Sequence, residues 1–418
     1  MGYPKLVIVG GGFGGLNLIK SLKKAKFDIL LIDKTNHHLF QPLLYEVATA
    51  AISPGEIAVP LREIVRTNQH VTVIMGEVAH VDKNLKQLTL GNGDKISYDF
   101  LVLAVGSRHS YFGNDQWEEF APGLKTINDA INIREKILVS FEKAERMDSP
   151  QEAAKYLNFV IIGGGPTGVE MAGAIAEIAH RALFKNFRRI KPEKTKIYLL
   201  EAFDRILPPY PEKLSRRAQI DLEELGVTVV TGKKVVDVTS EGVYVEGGFY
   251  PSKNVIWAAG NQASPLLKTL NVPLDRAGRV IVEKDLTIPG HPEIFVIGDA
   301  ASFIDDKGKP LPGIAPTAIQ MGKYVGKVLK KGNQPPFHYF DKGYMATIGK
   351  LRAVAVVGKL QMSGFFAWAA WCFIHILYLI GFRNRFAVLT EWFYCLLTGE
   401  RGVRVIYHSI DKELPKKE

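Results

Sequence analysis

Two glycine clusters carry the most readable chemistry in this chain. Gly10, Gly12 and Gly15 stand in VIVGGGFGG, residues 7–15, and Gly163, Gly165 and Gly168 stand in VIIGGGPTG, residues 160–168. Glycines at this spacing build a loop that cradles phosphate. The first permits a tight turn, the second lets backbone approach a pyrophosphate, and the third lets the following helix pack close. Each loop is followed by a carboxylate, Asp33 and Glu201, at a place where it can accept a hydrogen bond from a ribose hydroxyl. Glu201 would also repel a 2′-phosphate, which favours NADH over NADPH; Arg205, four positions on, weakens that preference. Glu170 lies just past the second loop, either as a solvated helix acid or as a carboxylate beside a nicotinamide.

These residues need strands and helices to place them. KLVIV is a short β-branched run of the kind that forms a buried parallel strand, a helix is expected from Phe13 to about Lys24, and FDILLID is a second strand ending on Asp33. LNFVIIGGGPTGVEMAGAIAEIA and TKIYLLE repeat the unit. The second copy is longer between loop and acid, which predicts a longer crossover helix. The excess holds KNFRRIKPEKTK, residues 185–196, a solvated helix end or a contact for lipid headgroups. FLVLAVGS (100–107) and NVIWAAGN (254–261) are matching strand–glycine turns, and EIFVIGDAA (293–301) ends a strand on Gly298-Asp299. The expected class is α/β, with two Rossmann-like dinucleotide-binding domains and a C-terminal membrane-anchoring region.

The 418 residues, 47% hydrophobic and 23% charged, suit a globular chain of two or three domains. A net charge of +10 favours an anionic partner. No basic block interleaved with aromatics marks a nucleic-acid arm, so no nucleic-acid partner is expected. The two cysteines, Cys372 and Cys395, both fall in an apolar tail, so the body offers no redox pair and no sign of a zinc site, and no metal is expected. No signal peptide is expected before KLVIVGGG, and Leu6 stands where a myristoylation motif needs Ser or Thr.

The two loops, the two strand–glycine turns and the Gly-Asp pair together resemble the two-dinucleotide-binding flavoprotein oxidoreductases. The resemblance implies that the first loop holds FAD without a covalent bond and that the second takes NADH. It also implies an NADH domain inserted in the FAD domain: 1–115 and 281–335 for FAD, 116–280 for NADH, and 336–418 for the membrane. Branches of this superfamily that use a cysteine pair beside the flavin do not fit a cysteine-free body. Three further blocks narrow the likeness: residues 33–64, residues 313–326 (GIAPTAIQMGKYVG) and residues 344–385. They resemble type II NADH:quinone oxidoreductases, which implies a non-pumping enzyme that passes a hydride from NADH to FAD and two electrons on to a membrane quinone.

Residue roles follow from that resemblance. The implied cofactor set is Gly10, Gly12, Phe13, Gly14, Gly15, Asp33, Lys34, Gln41, Pro42, Ala104, Gly106, Gly298, Asp299 and Ala315, together with Gly163, Gly165, Gly168, Glu201, Ala259 and Gly260. Asp299 would meet the ribityl chain, and Glu170 would be the catalytic glutamate between nicotinamide and flavin. Ala315 and Gln320 match a quinone-site motif, A-Q-x-A-x-Q, and with Ala318 they frame Pro316, which replaces the first glutamine. Glu46 stands where the resemblance implies an amide. His37 and His38 diverge from one another, serving structural hydrogen bonds or flavin and acceptor contacts.

Residues 364–382, GFFAWAAWCFIHILYLIGF, are apolar enough to read as one spanning helix. RNR follows, and then a piece in which Phe386, Leu389, Phe393, Leu396 and Leu397 share a helical face. Trp368, Trp371 and Trp392 suit a headgroup boundary. In-plane anchoring is the preferred reading, against a single span or a buried core or dimer contact. The expected location is the cytoplasmic face of the cell membrane, as a peripheral protein and a homodimer. The rival readings are a sulfide:quinone oxidoreductase, a soluble NADH-dependent flavin reductase, and a signalling flavoprotein resembling apoptosis-inducing factor.

Overall fold

The computed structural model describes residues 2–23 and 25–406. Lys24, the expected end of the first loop helix, lies outside the described residues, as do 407–418 at the end of the expected membrane region. The strands that matter here are, in chain order, β1 (Lys5–Val9), β2 (Asp28–Asp33), β3 (Val71–Met75), β4 (Phe100–Leu103), β5 (Asn158–Ile162), β6 (Lys196–Leu200), β7 (Val227–Val230), β8 (Asn254–Trp257), β9 (Thr287–Ile288), β10 (His291–Val296), β11 (Tyr344–Gly349), β12 (Arg352–Val357) and β13 (Leu360–Ser363). The helices are α1 (Phe13–Ser21), α2 (Leu44–Ala48), α3 (Ile127–Arg146), α4 (Pro166–Glu177), α5 (Ala315–Lys331), α6 (Phe365–Tyr378) and α7 (Phe382–Thr398).

The chain divides into two compact units. The first takes residues up to Leu39, Ala58–Arg108 and Asn261–Lys342; the second takes Phe40–Ile57, His109–Gly260 and everything from Gly343 onward. These bounds differ from those the resemblance implies. Residues 40–57 leave the first unit, and the C-terminal elements fold into the second rather than standing alone.

The first unit is built on a six-stranded sheet in the order β9-β10-β4-β1-β2-β3, parallel throughout except at the β9 edge. Leu6, Val7 and Ile8 are fully buried, as a parallel strand covered on both faces requires. α1 lies against α5 so closely that a Cβ on Gly322 would stand 2.3 Å from the Gly14 carbonyl oxygen.

The second unit repeats the plan with a four-stranded parallel sheet, β7-β6-β5-β8. A capping box between Thr126 and Asp129 starts α3. The antiparallel sheet β11-β12-β13 packs on α4, where a Cβ on Gly173 would lie 1.7 Å from the Ile348 carbonyl oxygen. Two Rossmann-like halves in an α/β chain are therefore what the sheets show.

Three expectations need correction. The extra length before Glu201 is not mainly helix: α4 ends at Glu177, a π turn covers Ile178–Ala182, and an irregular segment follows. There the Glu145 carboxylate accepts hydrogen bonds from the backbone N–H groups of Arg188, Arg189 and Ile190, so the basic stretch is a pinned loop rather than a helix end. Residues 364–382 are not one helix either. α6 ends at Tyr378, Gly381 turns the chain at φ +91°, and α7 takes Arg383–Arg385 into its first turn. The Arg385 guanidinium closes that turn by donating to the Leu379 and Leu377 carbonyls at 2.8 and 2.9 Å. Among the described residues, no helix is long and apolar enough to cross a membrane.

Candidate active site

In the first unit the expected residues gather at the C-terminal ends of parallel strands, where open α/β sheets bind ligands. The loop Gly10–Gly15 leaves β1, Asp33 ends β2, Ala104–Gly106 follows β4, and Gly298-Asp299 follows β10. Gly10 turns at φ +106°, and a Cβ on Gly15 would meet the Gly10 carbonyl oxygen at 2.0 Å. Asp33 holds the loop: one oxygen accepts from Gly11 N–H at 2.6 Å, and the other accepts from Thr35 N–H and hydroxyl at 2.7 and 2.8 Å. A carboxylate has further lone-pair directions, so a ribose hydroxyl can share it. The Ser107 hydroxyl donates to Asp299 at 2.8 Å and ties two strand ends together. Lys34 is exposed, and Phe13 lies at the start of α1.

The residues present fit a dinucleotide. A Cβ on Gly12 would meet nothing within 4 Å, so no protein atom demands glycine there. Neither a capping side chain nor a first-turn acid occupies the start of α1, which leaves its N–H groups for an anion. His38 is tied to the loop. It is 3% exposed, its Nδ1 bonds the Gly11 carbonyl at 3.1 Å, its ring meets Phe13 edge-on, and burial lowers it to about 4. The His37 Nδ1 pairs with Asn36 at 3.0 Å.

The second unit copies the arrangement. Gly163 turns at φ +110°, a Cβ on Gly168 would meet the Gly163 carbonyl oxygen at 1.8 Å, and Gly165 faces open space. Glu201 is buried and accepts from Gly164 N–H at 2.6 Å and Phe203 N–H at 2.9 Å. Ala259 and Gly260 follow β8, beside Gly163. The Arg205 guanidinium donates to the Pro208 carbonyl at 3.1 Å.

Quinone-site expectations meet a different picture. Pro316 sits in the first turn of α5, where a missing N–H leaves no helix hydrogen bond unmade, and Ala315 and Ala318 share that end. The Gln320 amide is clamped on the Phe340 backbone: its nitrogen donates to the carbonyl at 2.9 Å and its oxygen accepts from the N–H at 3.0 Å. Gln41, in the second unit with Pro42, donates to the Lys125 carbonyl at 3.1 Å.

The second unit also holds a cleft, open to solvent, that spacing alone does not announce. α2 gives it Tyr45 and Glu46, α4 gives Glu170 and Glu177, and the β11–β12 turn gives Lys350. α6 adds Trp371 and Cys372, α7 adds Trp392 and Cys395, and Arg401 closes it. Glu170 accepts from the Thr347 backbone, and burial pushes its carboxyl well above the usual range. Burial likewise raises Glu46 to about 7, against the hydrogen bonds from Trp392 and Tyr45. Arg401 is buried and donates to Thr49 at 2.7 and 2.8 Å and to Glu177 at 2.9 Å. Burial holds the Cys372 thiol up at about 12 and raises Cys395 as well. Glu177 had one signal in the sequence, its position seven residues after Glu170 on the same helical face. Arg401 had none.

The model of the pyridine nucleotide-disulphide oxidoreductases matches residues 4–322, which sets the class. The chain is 45% identical over 417 residues to the type II NADH:quinone oxidoreductase Ndh of Mycobacterium tuberculosis, covering 95% of this chain and 89% of that protein. It is also 45% identical over 426 residues to NdhA of the same organism, covering 97% and 90%. The fold matches NDH2 of Plasmodium falciparum in complex with NADH at a TM-score of 0.88 and 22% identity, over 96% of this chain and 99% of that one. This chain belongs to the type II NADH:quinone oxidoreductases, FAD-dependent enzymes that pass electrons from NADH to quinone without pumping protons.

Proposed function

We propose that the first loop holds FAD and the second receives NADH, and that Glu170 is the carboxylate at the nicotinamide. The observation that carries this reading is the pair of tethered loops: Asp33 on Gly11 and Glu201 on Gly164, each at 2.6 Å. Bound FAD would supply a ring that accepts hydride and returns electrons singly or in pairs. The protein's part is placement. The strand-end loops position each pyrophosphate, the acids fix each ribose, and the α1 and α4 N-termini offset phosphate charge. Glu201 selects NADH because a 2′-phosphate beside a buried carboxylate is repelled.

The membrane reading rests on α6 and α7. Phe382, Phe386, Leu389, Phe393 and Leu397 are all exposed, while Asn384 and Val388 on the same helix are buried. α7 therefore turns its apolar face outward, and Phe366 and Phe373 extend that surface along α6. Such a face suits in-plane anchoring at an anionic membrane surface, on the cytoplasmic side where NADH is met, by a protein with net charge +10. A homodimer completes the reading, with no nucleic-acid partner. The test is turnover of purified protein with NADH and a short-chain quinone, alone and on vesicles of anionic lipid. Quinone-dependent NADH oxidation raised by vesicles supports the reading; NADH oxidation indifferent to quinone contradicts it.

A further inference from the structure

Four glutamates line the cleft of the second unit, Glu46, Glu170, Glu177 and Glu391, and the partners of the first three differ in kind. Glu177 is matched by the Arg401 guanidinium at 2.9 Å and by the Lys350 N–H at 2.6 Å. Glu46 and Glu170 receive neutral donors. Glu46 is buried and accepts from the Tyr45 phenol at 2.9 Å and from the Trp392 indole at 2.7 Å. Glu170 accepts from the Thr347 peptide. Neutral donors offset a carboxylate's lost hydration less than a guanidinium does. Two such carboxyls in one cleft repel as anions, and the Glu46 charge raises the proton affinity of Glu170.

We propose that Glu46 is a proton-exchanging partner of Glu170, and that this pair carries the solvent proton consumed when quinone is reduced. The inference rests on the proposed role of Glu170. The balance requires such a proton: NADH, quinone and one H⁺ give NAD⁺ and quinol. Hydride transfer supplies two electrons and one proton, and water supplies the other. In the step assigned here, the Glu170 O–H bond breaks as its proton passes towards the quinone oxygen. The Glu46 O–H bond then breaks as its proton reloads the Glu170 carboxylate across the cleft, and the Glu46 carboxylate is reprotonated from the open side. Other groups facing Glu46 set its poise: Glu177 raises its proton affinity and Arg401 lowers it. Tyr45, Lys350, Cys372, Glu391 and Cys395 line the same space.

The test separates the two half-reactions by rapid mixing. In Glu46→Gln, flavin reduction by NADH should keep its rate, while reoxidation by a soluble quinone should slow by about tenfold or more at pH 7, within the range for general acid catalysis. In the native enzyme reoxidation should fall as pH rises through about 7, where Glu46 loses its proton, and the variant should lose this limb. Glu46→Asp should restore part of the rate. Trp392→Phe keeps the carboxyl but removes a donor to its charged form, so the limb should move to higher pH and persist. An unchanged rate and limb in Glu46→Gln, or equal slowing of both half-reactions, would overturn the relay. Failure of quinone to reoxidise the native enzyme would instead overturn the enzyme reading itself.

Discussion

The indole N–H of Trp392 donates to the Glu46 carboxylate at 2.7 Å, joining residues 346 positions apart in the chain. One face of α7 thus reaches the buried end of the second unit while the other displays Phe386 and Phe393 to the outside. Trp392 also meets the Trp371 ring at 5.4 Å, and Trp371 stacks on His375 at 4.1 Å. The helix that carries the apolar surface and the cleft that carries the carboxyls are parts of one packed arrangement.

That packing has a keystone in Arg401. Replacing Arg401 by Ala leaves the mostly buried Glu177 without its cation and Thr49 without its donor. A loss of about 3–5 kcal/mol is expected, because breaking a buried pair costs more than the pair contributes. Urea unfolding should show it, and the double variant with Glu177→Gln should lose less than the two single variants added together.

Nucleotide choice turns on Glu201. Glu201→Gln keeps the side-chain volume but removes the charge that repels a 2′-phosphate. The preference for NADH over NADPH should fall by about tenfold to a hundredfold in kcat/KM, the range for a hydrogen bond to a charged group. An unaltered ratio of the two coenzymes would remove Glu201 from that role.

The outward face of α7 predicts a separable property. Phe386, Leu389 and Phe393 changed together to Ser should abolish co-sedimentation with anionic vesicles. Turnover with a water-soluble quinone should stay near the native value, since these side chains are exposed and line no part of the cleft.

His38 predicts an acid-side instability. Its folded-state value is lowered to about 4, whereas an unfolded histidine titrates near 6.5. Between those values the unfolded chain binds the extra proton, so stability is lost as pH falls through this window and is fully present above it. The loss from His38 should reach roughly 3 kcal/mol by pH 4. His38→Gln should flatten the slope of unfolding free energy against pH over that range.

Much of this architecture is legible in the sequence. Glycine spacing and a terminal acid define both loops, because the turn, the close helix and the ribose contact each demand a particular residue type at a fixed place. Two things escaped. The break at Leu379–Gly381 is set by Arg385 reaching back to the Leu377 and Leu379 carbonyls, a tertiary contact that hydropathy does not encode. The carboxyl cleft escaped because Glu46, Glu170 and Arg401 come from distant parts of the chain; Glu170 past its loop, Glu177 seven positions on and the acid in place of an amide at Glu46 were separate signals that spacing does not join. Gln320 fits the quinone motif by position, yet its amide is spent on Phe340.

The most direct test is anaerobic rapid mixing of the FAD-loaded protein with NADH and then with a soluble quinone, following flavin absorbance. The account predicts bleaching by NADH and full recovery on quinone, with one quinol formed per NADH. Bleaching that persists after quinone, or recovery only when oxygen is admitted, would contradict it.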